Sequence, residues 1–155
     1  MQKKAIKILL AQQNYHIGNF EYNLKKIKYA IEDGKQRGAD LVVFSELAVC
    51  GYPSRDFLYA ADFIRHCEQS IHEIEKSTSG IAVLVGAPRK NPDTAGKRLY
   101  NSVYFIADGT TQQIIDKTCL PTYDVFDEDR HFEQANNWNI IEYKGNRLEI
   151  GRAHV

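Results

Sequence analysis

The first half of the chain combines short apolar runs with longer amphipathic stretches. Apolar runs at 6–11 and 81–85 predict strands, the first of them a buried strand although Lys7 interrupts the run. The run 41–44 has no polar alternation and therefore predicts a strand that is covered on both faces. Between the runs, apolar residues recur at steps of three and four, which predicts one helix that begins after Asn19 and another over about 57–77. This order of strands and helices predicts an α/β domain.

The second half of the chain contains turn signals that predict hairpins. Asp108-Gly109 interrupts a strand-like stretch at 99–116, and this dipeptide between apolar runs predicts a tight hairpin. A second hairpin is predicted over 138–150. Two further segments, a polar one at 88–98 and one at 117–137 without a clear period, are predicted to be loops. Because a hairpin pairs its strands antiparallel, the sheet is expected to be mixed.

The composition is that of an ordinary globular domain and argues against several classes of partner. The 155 residues suffice for one hydrophobic core, and 43% of them are hydrophobic. Twenty basic residues balance twenty acidic ones, so no electrostatic argument favours nucleic acid. We expect no membrane partner and no signal peptide, because no apolar run approaches the roughly 20 residues of a membrane span. Three irregularly spaced cysteines favour a reducing, cytoplasmic location.

Glu46 is the first candidate for chemistry, because it follows the predicted buried strand 41–44 by two residues. Ligand sites in α/β sheets favour the crevice at the carboxyl ends of strands. A carboxylate in that crevice could act as a general base. The alternative is a helix-capping or surface acid, and the position of Glu46 does not by itself decide between the two.

Lys117 is the second candidate, at the end of the predicted strand 110–116. A lysine there could stabilise an oxyanion, although a solvated lysine at a hairpin exit is the more common case. The following segment, 123–128, mixes two aromatic residues with three acidic ones. A long ordered loop of this composition could line a pocket for a small ligand that carries a cation.

Three stretches together resemble the carbon–nitrogen hydrolase, or nitrilase, superfamily. The stretch 39–47, followed by Gly51-Tyr52-Pro53, resembles its first signature, and 117–123 resembles its second signature, which carries a lysine. The continuation 124–132 is similar to the glutaminase domains of glutamine-dependent NAD synthetases, a branch of that superfamily. The resemblance implies a nitrilase-type αββα sandwich with a mixed β-sheet, of which this chain would hold an incomplete part.

The resemblance also implies a mechanism, acyl transfer through a cysteine thiolate. By resemblance, Glu46 takes the proton of the thiol and Lys117 stabilises the oxyanion of the tetrahedral intermediate. Four further residues would line a pocket for L-glutamine, namely Tyr52, Tyr123, Phe126 and Glu128. Among these, Glu128 would face the ammonium group of the substrate.

Expectations about cofactors and assembly follow from the same resemblance. No cofactor is expected in this domain, whereas ATP and Mg²⁺ would serve a second, synthetase domain that uses the released ammonia to amidate an adenylated NAD precursor. No metal is expected either, because the five histidines lack the spacing of a metal site. A homo-oligomer is expected, because subunits of this family pack face to face.

The family's nucleophilic cysteine lies shortly after a run similar to 147–151. Here the chain continues as Arg152-Ala153-His154-Val155, which is a poor continuation of a buried strand. We therefore expect 1–151 to be the N-terminal part of a carbon–nitrogen hydrolase (glutaminase) domain and 152–155 to be a non-native tail. We also expect the chain to be inactive alone, because it would lack the nucleophile.

A different nucleophile, Cys119, and two other classes of function remain as alternatives. Cys119 could act as the nucleophile beside Lys117, because a nearby ammonium favours the thiolate, but an inert buried thiol is the more common case. Cys50 is expected to pack near the site, and Cys67 is expected to pack in the core. The chain could instead belong to another amide- or nitrile-hydrolysing branch of the superfamily, or it could be a non-catalytic binding module.

Overall fold

The computed structural model describes residues 5–93 and 95–151. Residues 152–155, for which a non-native tail is predicted, lie outside the described residues. The strands of the described part are β1 (Ile8–Ala11), β2 (Leu41–Phe44), β3 (Ala82–Lys90), β4 (Leu99–Ala107), β5 (Thr110–Asp116), β6 (Ile141–Tyr143) and β7 (Asn146–Leu148).

Strands β1 to β5 form one sheet in chain order. The first three strands pair in parallel, whereas β4 pairs antiparallel with both β3 and β5. The tight turn at Asp108-Gly109 joins β4 to β5, as the dipeptide predicts. The predicted α/β class and the mixed sheet are therefore confirmed.

The helices of the described part are α1 (Phe20–Gln36), a 3₁₀ helix (Arg55–Tyr59), α2 (Ala61–Glu75) and α3 (Glu128–His131). Helix α1 begins after Asn19, whose side chain accepts a hydrogen bond from the backbone N–H of Tyr22 at 3.2 Å. This cap satisfies one of the N–H groups that have no partner inside the helix. The start of α1 therefore agrees with the sequence prediction.

The single helix predicted over 57–77 was wrong, because two elements occupy that stretch. Ala60 is extended, with φ −79° and ψ 120°, and it separates the 3₁₀ helix from α2. Phe57 consequently leaves the buried stripe of α2 and is 60% exposed, although its ring still stacks on Phe63. Apolar spacing can continue across such a break, because the spacing does not report the backbone angles of a single residue.

The prediction of a loop from 88 was also wrong, because β3 extends to Lys90 and pairs with β4 from Val83 to Lys90. Pro88 lacks a backbone N–H and therefore suits an edge position. Strand β2 pairs only with the segment 82–84 of β3, so at Pro88 the ladder exists on the β4 side alone. The proline thus occupies a part of β3 that is locally an edge.

Two apolar clusters lie on opposite faces of the sheet. Helices α1 and α2 cover one face, where Ile27 and Ile74 pack with Val83 and other strand residues. On the other face, Phe105 packs with Ile141 of the β6–β7 hairpin. This hairpin is shorter than the predicted 138–150 and forms its own two-stranded sheet. Of an αββα sandwich, the described residues thus provide one helical layer, one sheet and a hairpin against the second face.

Candidate active site

Glu46 lies on a tight turn that follows β2 and packs against β3. The next residue, Leu47, has a left-handed backbone conformation with φ +48°, which residues other than glycine rarely adopt. Gly86 of β3 makes room for this turn, since a Cβ atom at Gly86 would lie 2.5 Å from the backbone nitrogen of Leu47. The position of Glu46 therefore depends on a glycine 40 residues away in the neighbouring strand (86 − 46).

Lys117 is held at the end of β5 by its backbone and by the residue before it. The backbone N–H of Lys117 donates to the carbonyl oxygen of Asn101 at 2.8 Å. The preceding carboxylate, Asp116, accepts hydrogen bonds from Arg89 (Nε to Oδ1, 3.0 Å) and from Ser102 (Oγ to Oδ1, 2.5 Å). This cross-strand network ties the ends of β3, β4 and β5 together where Lys117 leaves the sheet.

The ammonium group of Lys117 lies between two carboxylates. Its Nζ donates to Glu46 Oε1 at 2.7 Å and to Glu128 Oε2 at 2.6 Å. The side chain of Lys117 is 18% exposed and that of Glu128 is 5% exposed, whereas that of Glu46 is 42% exposed. The buried carboxylate thus anchors the ammonium from inside, and the second carboxylate lies at the opening of the site.

Tyr52 and the loop before α3 complete the wall of the site. The hydroxyl of Tyr52 donates to Glu128 Oε1 at 2.9 Å, so both oxygens of Glu128 accept hydrogen bonds. The ring of Phe126 lies 6.3 Å from that of Tyr52 and 5.5 Å from that of Tyr123 between centroids. Tyr123 is 60% exposed and therefore forms the outer rim. The structure brings all six predicted site residues into one continuous cluster.

The three cysteines occupy different environments. Cys50 and Cys67 are fully buried in the core under α1 and α2. The hydrogen bond with Cys50, together with burial, raises the pKa of the Cys67 thiol. The Cys50 sulfur lies 3.2 Å from the hydroxyl of Ser54. Cys119 is half-buried, and the Thr118 hydroxyl lies 3.9 Å from its sulfur. The packing predicted for Cys50 and Cys67 is confirmed.

A small cavity of about 100 Å³ adjoins the wall that Tyr52 and Glu128 form. Arg130 and His131 of α3 also line it. Burial and the neighbouring Arg130 charge lower the pKa of His131. Within the described part of the chain, His131 Nδ1 is buried without a hydrogen-bond partner. The cavity thus has a mixed polar and apolar lining and lies beside the cluster of Glu46 and Lys117, neither of which lines it.

Residues 5–93 and 95–151 contain neither a group of metal ligands nor a helix that could cross a membrane. No three histidine, cysteine, aspartate or glutamate side chains there are grouped as metal ligands. None of the helices in these ranges has both the length and the apolar character required to cross a membrane.

The mixed sheet with helices, and the lysine between two carboxylates at the strand ends, define an α/β domain with a hydrolase-type site. The chain belongs to the carbon–nitrogen hydrolase family, whose model, described as "Carbon-nitrogen hydrolase", matches residues 7–153. The resemblance that the two signatures indicate is therefore confirmed.

Within this family, the chain is similar to several glutamine-dependent NAD(+) synthetases. A glutamine-dependent NAD(+) synthetase from Synechocystis sp. is 40% identical over 147 residues, which cover 92% of this chain and 26% of that protein. A glutamine-dependent NAD(+) synthetase from Xylella fastidiosa is 36% identical over 147 residues, with 94% and 26% covered. The chain spans about a quarter of the length of these curated relatives.

Solved structures confirm the fold. A glutamine-dependent NAD+ synthetase from Acinetobacter baumannii, in complex with ADP, matches with a TM-score of 0.86 and 33% identity. That match covers 93% of this chain and 27% of the synthetase chain. An amidase from Nesterenkonia sp. matches with a TM-score of 0.77 at 19% identity, covering 96% of this chain and 56% of the amidase, and this likeness shows the fold alone.

Sequence reasoning missed two residues that shape the site, Asn101 and Gly86. Asn101 Nδ2 donates to Glu46 Oε1 at 2.5 Å, and Gly86 admits the turn that carries Glu46. A signal for Asn101 existed in the sequence, since it is an amide within the strand-like run 99–107. A buried amide needs partners, so its presence in a strand indicates a polar contact. The role of Gly86 has no comparable signal, because it depends on the approach of a distant turn.

Proposed function

We propose that this chain carries the amide-hydrolysing site of a glutamine-dependent NAD synthetase and acts on the side-chain amide of L-glutamine. The names of the relatives from Synechocystis and Acinetobacter, at 40% and 33% identity, support the substrate. The site supports the reaction, since it holds a candidate base and a candidate oxyanion stabiliser within hydrogen-bonding distance of each other.

The position of Lys117 Nζ is the observation that carries the proposal. An ammonium group has three N–H donors, and two of them are used by Glu46 and Glu128. The third N–H can donate to a substrate oxygen without breaking either ion pair. Removal of one donor from an oxyanion site typically lowers kcat by about 10²–10³-fold, which is the size of effect expected for Lys117.

Glu46 acts as the base in the proposed reaction. Its Oε2 accepts the proton of a cysteine thiol while sulfur bonds to the amide carbon, and negative charge collects on the amide oxygen beside Lys117. The C–N bond then breaks, and the proton passes from Glu46 to the departing nitrogen, which leaves as ammonia. Water next cleaves the thioester, and Glu46 takes one of its protons and returns it to sulfur. By resemblance to the family, this thiol comes from a segment that follows 147–151.

The aromatic residues and Glu128 have separate roles in the proposed pocket. Tyr52, Phe126 and Tyr123 would surround the apolar part of L-glutamine, with Tyr123 at the opening. Glu128 is buried, and both of its oxygens accept hydrogen bonds. A substrate ammonium near Glu128 would therefore share this carboxylate with Lys117 and Tyr52. We accordingly propose that Glu128 mainly orients these two side chains.

The remaining expectations about the whole protein are part of the same proposal. The ammonia would serve an ATP- and Mg²⁺-dependent synthetase domain, which would make the complete protein a ligase. We also propose a cytoplasmic homo-oligomer. The names of the NAD synthetase relatives support the ligase activity.

A hybrid enzyme tests the function. Residues 7–151 of this chain replace the matching segment of the Synechocystis synthetase, and ammonia release from L-glutamine is measured. We expect the hybrid to release ammonia. Glu46→Gln should lower kcat by about 10²–10⁴-fold, the usual contribution of a general base. Lys117→Met should lower it by about 10²–10³-fold.

Matched substitutions at exposed positions control for the effect of charge removal. Glu142→Gln and Lys25→Met remove the same charges from exposed positions away from the site, on β6 and α1, and should leave the rate unchanged. A folded hybrid that hydrolyses other amides but not L-glutamine would contradict the proposed substrate. Retention of full activity by Glu46→Gln would contradict the proposed base.

A further inference from the structure

Asn101 connects the two halves of the candidate site. It lies on β4 and is 4% exposed. Its side-chain Nδ2 donates to Glu46 Oε1 at 2.5 Å, and its carbonyl oxygen accepts from the backbone N–H of Lys117 at 2.8 Å. Because a carboxylate only accepts hydrogen bonds, the amide nitrogen must be the atom that faces Glu46. One buried side chain thus contacts the proposed base, and its own backbone holds the proposed oxyanion stabiliser.

We propose that Asn101 is a positioning residue that fixes the orientation of the Glu46 carboxylate. It holds Oε1 toward Lys117, so that Oε2 is the oxygen that accepts and returns the proton of the thiol. The inference rests on the proposed role of Glu46 as a base. Asn101 itself touches neither the substrate nor the nucleophile in this proposal.

The two oxygens of the Glu46 carboxylate differ in the number of hydrogen bonds that they accept. Its Oε1 accepts from both Lys117 and Asn101, whereas no hydrogen bond from the described residues reaches Oε2. The side chain is 42% exposed, so Oε2 is accessible from the opening of the site. A proton adds most easily to the oxygen whose lone pairs are not already engaged. The contacts of Oε1 therefore select Oε2 as the basic atom.

The Asn101 amide also keeps one N–H donor of Lys117 available. The last torsion of a glutamate side chain is soft, so the carboxylate can rotate unless it is held. Without the Asn101 amide, both Glu46 oxygens could turn toward Lys117 Nζ and engage its third N–H. That N–H is the one proposed for the oxyanion. By holding Oε1, Asn101 preserves the basic oxygen of Glu46 and the available donor of Lys117 together.

The charge balance of the cluster favours a neutral side chain at position 101. The cluster holds one ammonium between two carboxylates. A second cation at position 101 would compete with Lys117 for Glu46, and a carboxylate at position 101 would repel the Glu46 carboxylate. A neutral amide supplies a hydrogen bond without changing the charge of the cluster. Asparagine is therefore the residue type that can orient Glu46 and leave its ion pair with Lys117 intact.

Carbon-13 NMR of the glutamate carboxyl groups in the 155-residue chain tests the inference. The Glu46 resonance is identified by its disappearance in Glu46→Gln. We expect Asn101→Ala to shift the Glu46 carboxyl resonance and to leave that of Glu128 in place. Asn101→Asp, which keeps the shape of the side chain but replaces the donor with a second carboxylate, should shift the Glu46 resonance as well.

Asn23 provides the matched control. It is a fully buried asparagine whose side chain bonds the backbone of His16 and Val49 without contacting Glu46. Asn23→Ala should lower stability without shifting the Glu46 carboxyl resonance. The role of Asn101 is overturned if neither Asn101 variant shifts that resonance, or if Asn23→Ala shifts it to the same extent.

A reciprocal measurement covers the case in which the Asn101 variants do not fold. Glu46 is half-exposed, so Glu46→Ala should fold, and the side-chain amide protons of Asn101 are then observed by nitrogen-15 NMR. We expect these protons to shift and to exchange faster with water than in the unaltered chain. Unchanged amide signals would contradict the inference. The hybrid assay reports separately on the proposed function, because these spectra do not depend on hydrolysis of glutamine.

Discussion

Lys117 Nζ and Glu46 Oε1 lie 2.7 Å apart although 71 positions separate the two residues along the chain. Strands β3 and β4 lie between the strands that carry them, β2 and β5, in the sheet. The contact forms because both residues lie just beyond the carboxyl ends of their strands, on the same side of the sheet. The distance between the two groups therefore depends on the segments that follow these strand ends and not on the strands alone.

Gly86→Ala tests the close approach of β3 to the turn at Glu46. The added Cβ atom would lie 2.5 Å from the Leu47 nitrogen, so the turn or the strand must move. We expect the free energy of unfolding to fall by about 1–3 kcal/mol, the usual cost of overpacking. Urea denaturation measures the change.

Gly151→Ala is the control for this substitution. A Cβ atom at Gly151 would meet no atom within 4 Å, so the Gly151→Ala variant should be as stable as the unaltered chain. In the hybrid enzyme, Gly86→Ala should also lower kcat for L-glutamine, because it displaces Glu46. Equal stability of the two alanine variants would show that the turn tolerates the added methyl group.

Glu75 gives a prediction about pH. Although partial burial would raise its pKa, hydrogen bonds from Thr111 and His72 outweigh this and lower the pKa below its ordinary value of 4.5. A group whose pKa is lowered in the folded state stabilises the fold above its ordinary pKa. That stabilisation is lost as the pH falls through the lowered value. Glu75→Gln should therefore be less stable by about 1 kcal/mol at neutral pH.

The pH dependence of this difference distinguishes charge from packing. Between neutral pH and about pH 3, the difference in unfolding free energy between the unaltered chain and Glu75→Gln should shrink. Glu142→Gln, at an exposed position of β6, serves as the comparison and should lack this trend. A difference for Glu75→Gln that stays constant as the pH falls would contradict the predicted ionic contribution.

The cysteines should differ in reactivity toward a thiol reagent. Cys50 and Cys67 are fully buried, whereas Cys119 is half-buried. Because reaction requires an accessible thiolate, we expect Cys119 to react first in the folded chain and the other two only after unfolding. Mass spectrometry of the labelled peptides identifies the site. Rapid labelling of Cys67 in the folded chain would contradict its burial.

The 155-residue chain alone should release no ammonia from L-glutamine. Cys50 and Cys67 are buried, and the ammonium of Lys117 is engaged by two carboxylates rather than paired with a thiolate. An ammonia assay on the purified chain measures the rate. Glutamine turnover that disappears in Cys119→Ala would overturn this expectation and make Cys119 the nucleophile. Turnover that persists in Cys119→Ala would point to a contaminating enzyme.

The sequence by itself determined the elements with strong local signals. The apolar run 41–44, the capped start of α1 after Asn19 and the turn at Asp108-Gly109 depend on neighbours along the chain. The break at Ala60 and the extension of β3 through Pro88 could not be predicted, because each depends on contacts made in the folded state. Periodicity records which residues are apolar, and it does not record where a backbone angle changes.

The same division applies to the site. The two signatures and the loop after Lys117 carry the six candidate residues, and each of these is a continuous stretch of sequence that local residue order defines. Only the tertiary structure decided that Glu128 is buried against Lys117, that Asn101 bonds to Glu46, and that Gly86 lies under the turn of Glu46. These contacts join residues on different strands and loops. Their distances are therefore set by the packing of the sheet, which no local pattern in the sequence encodes.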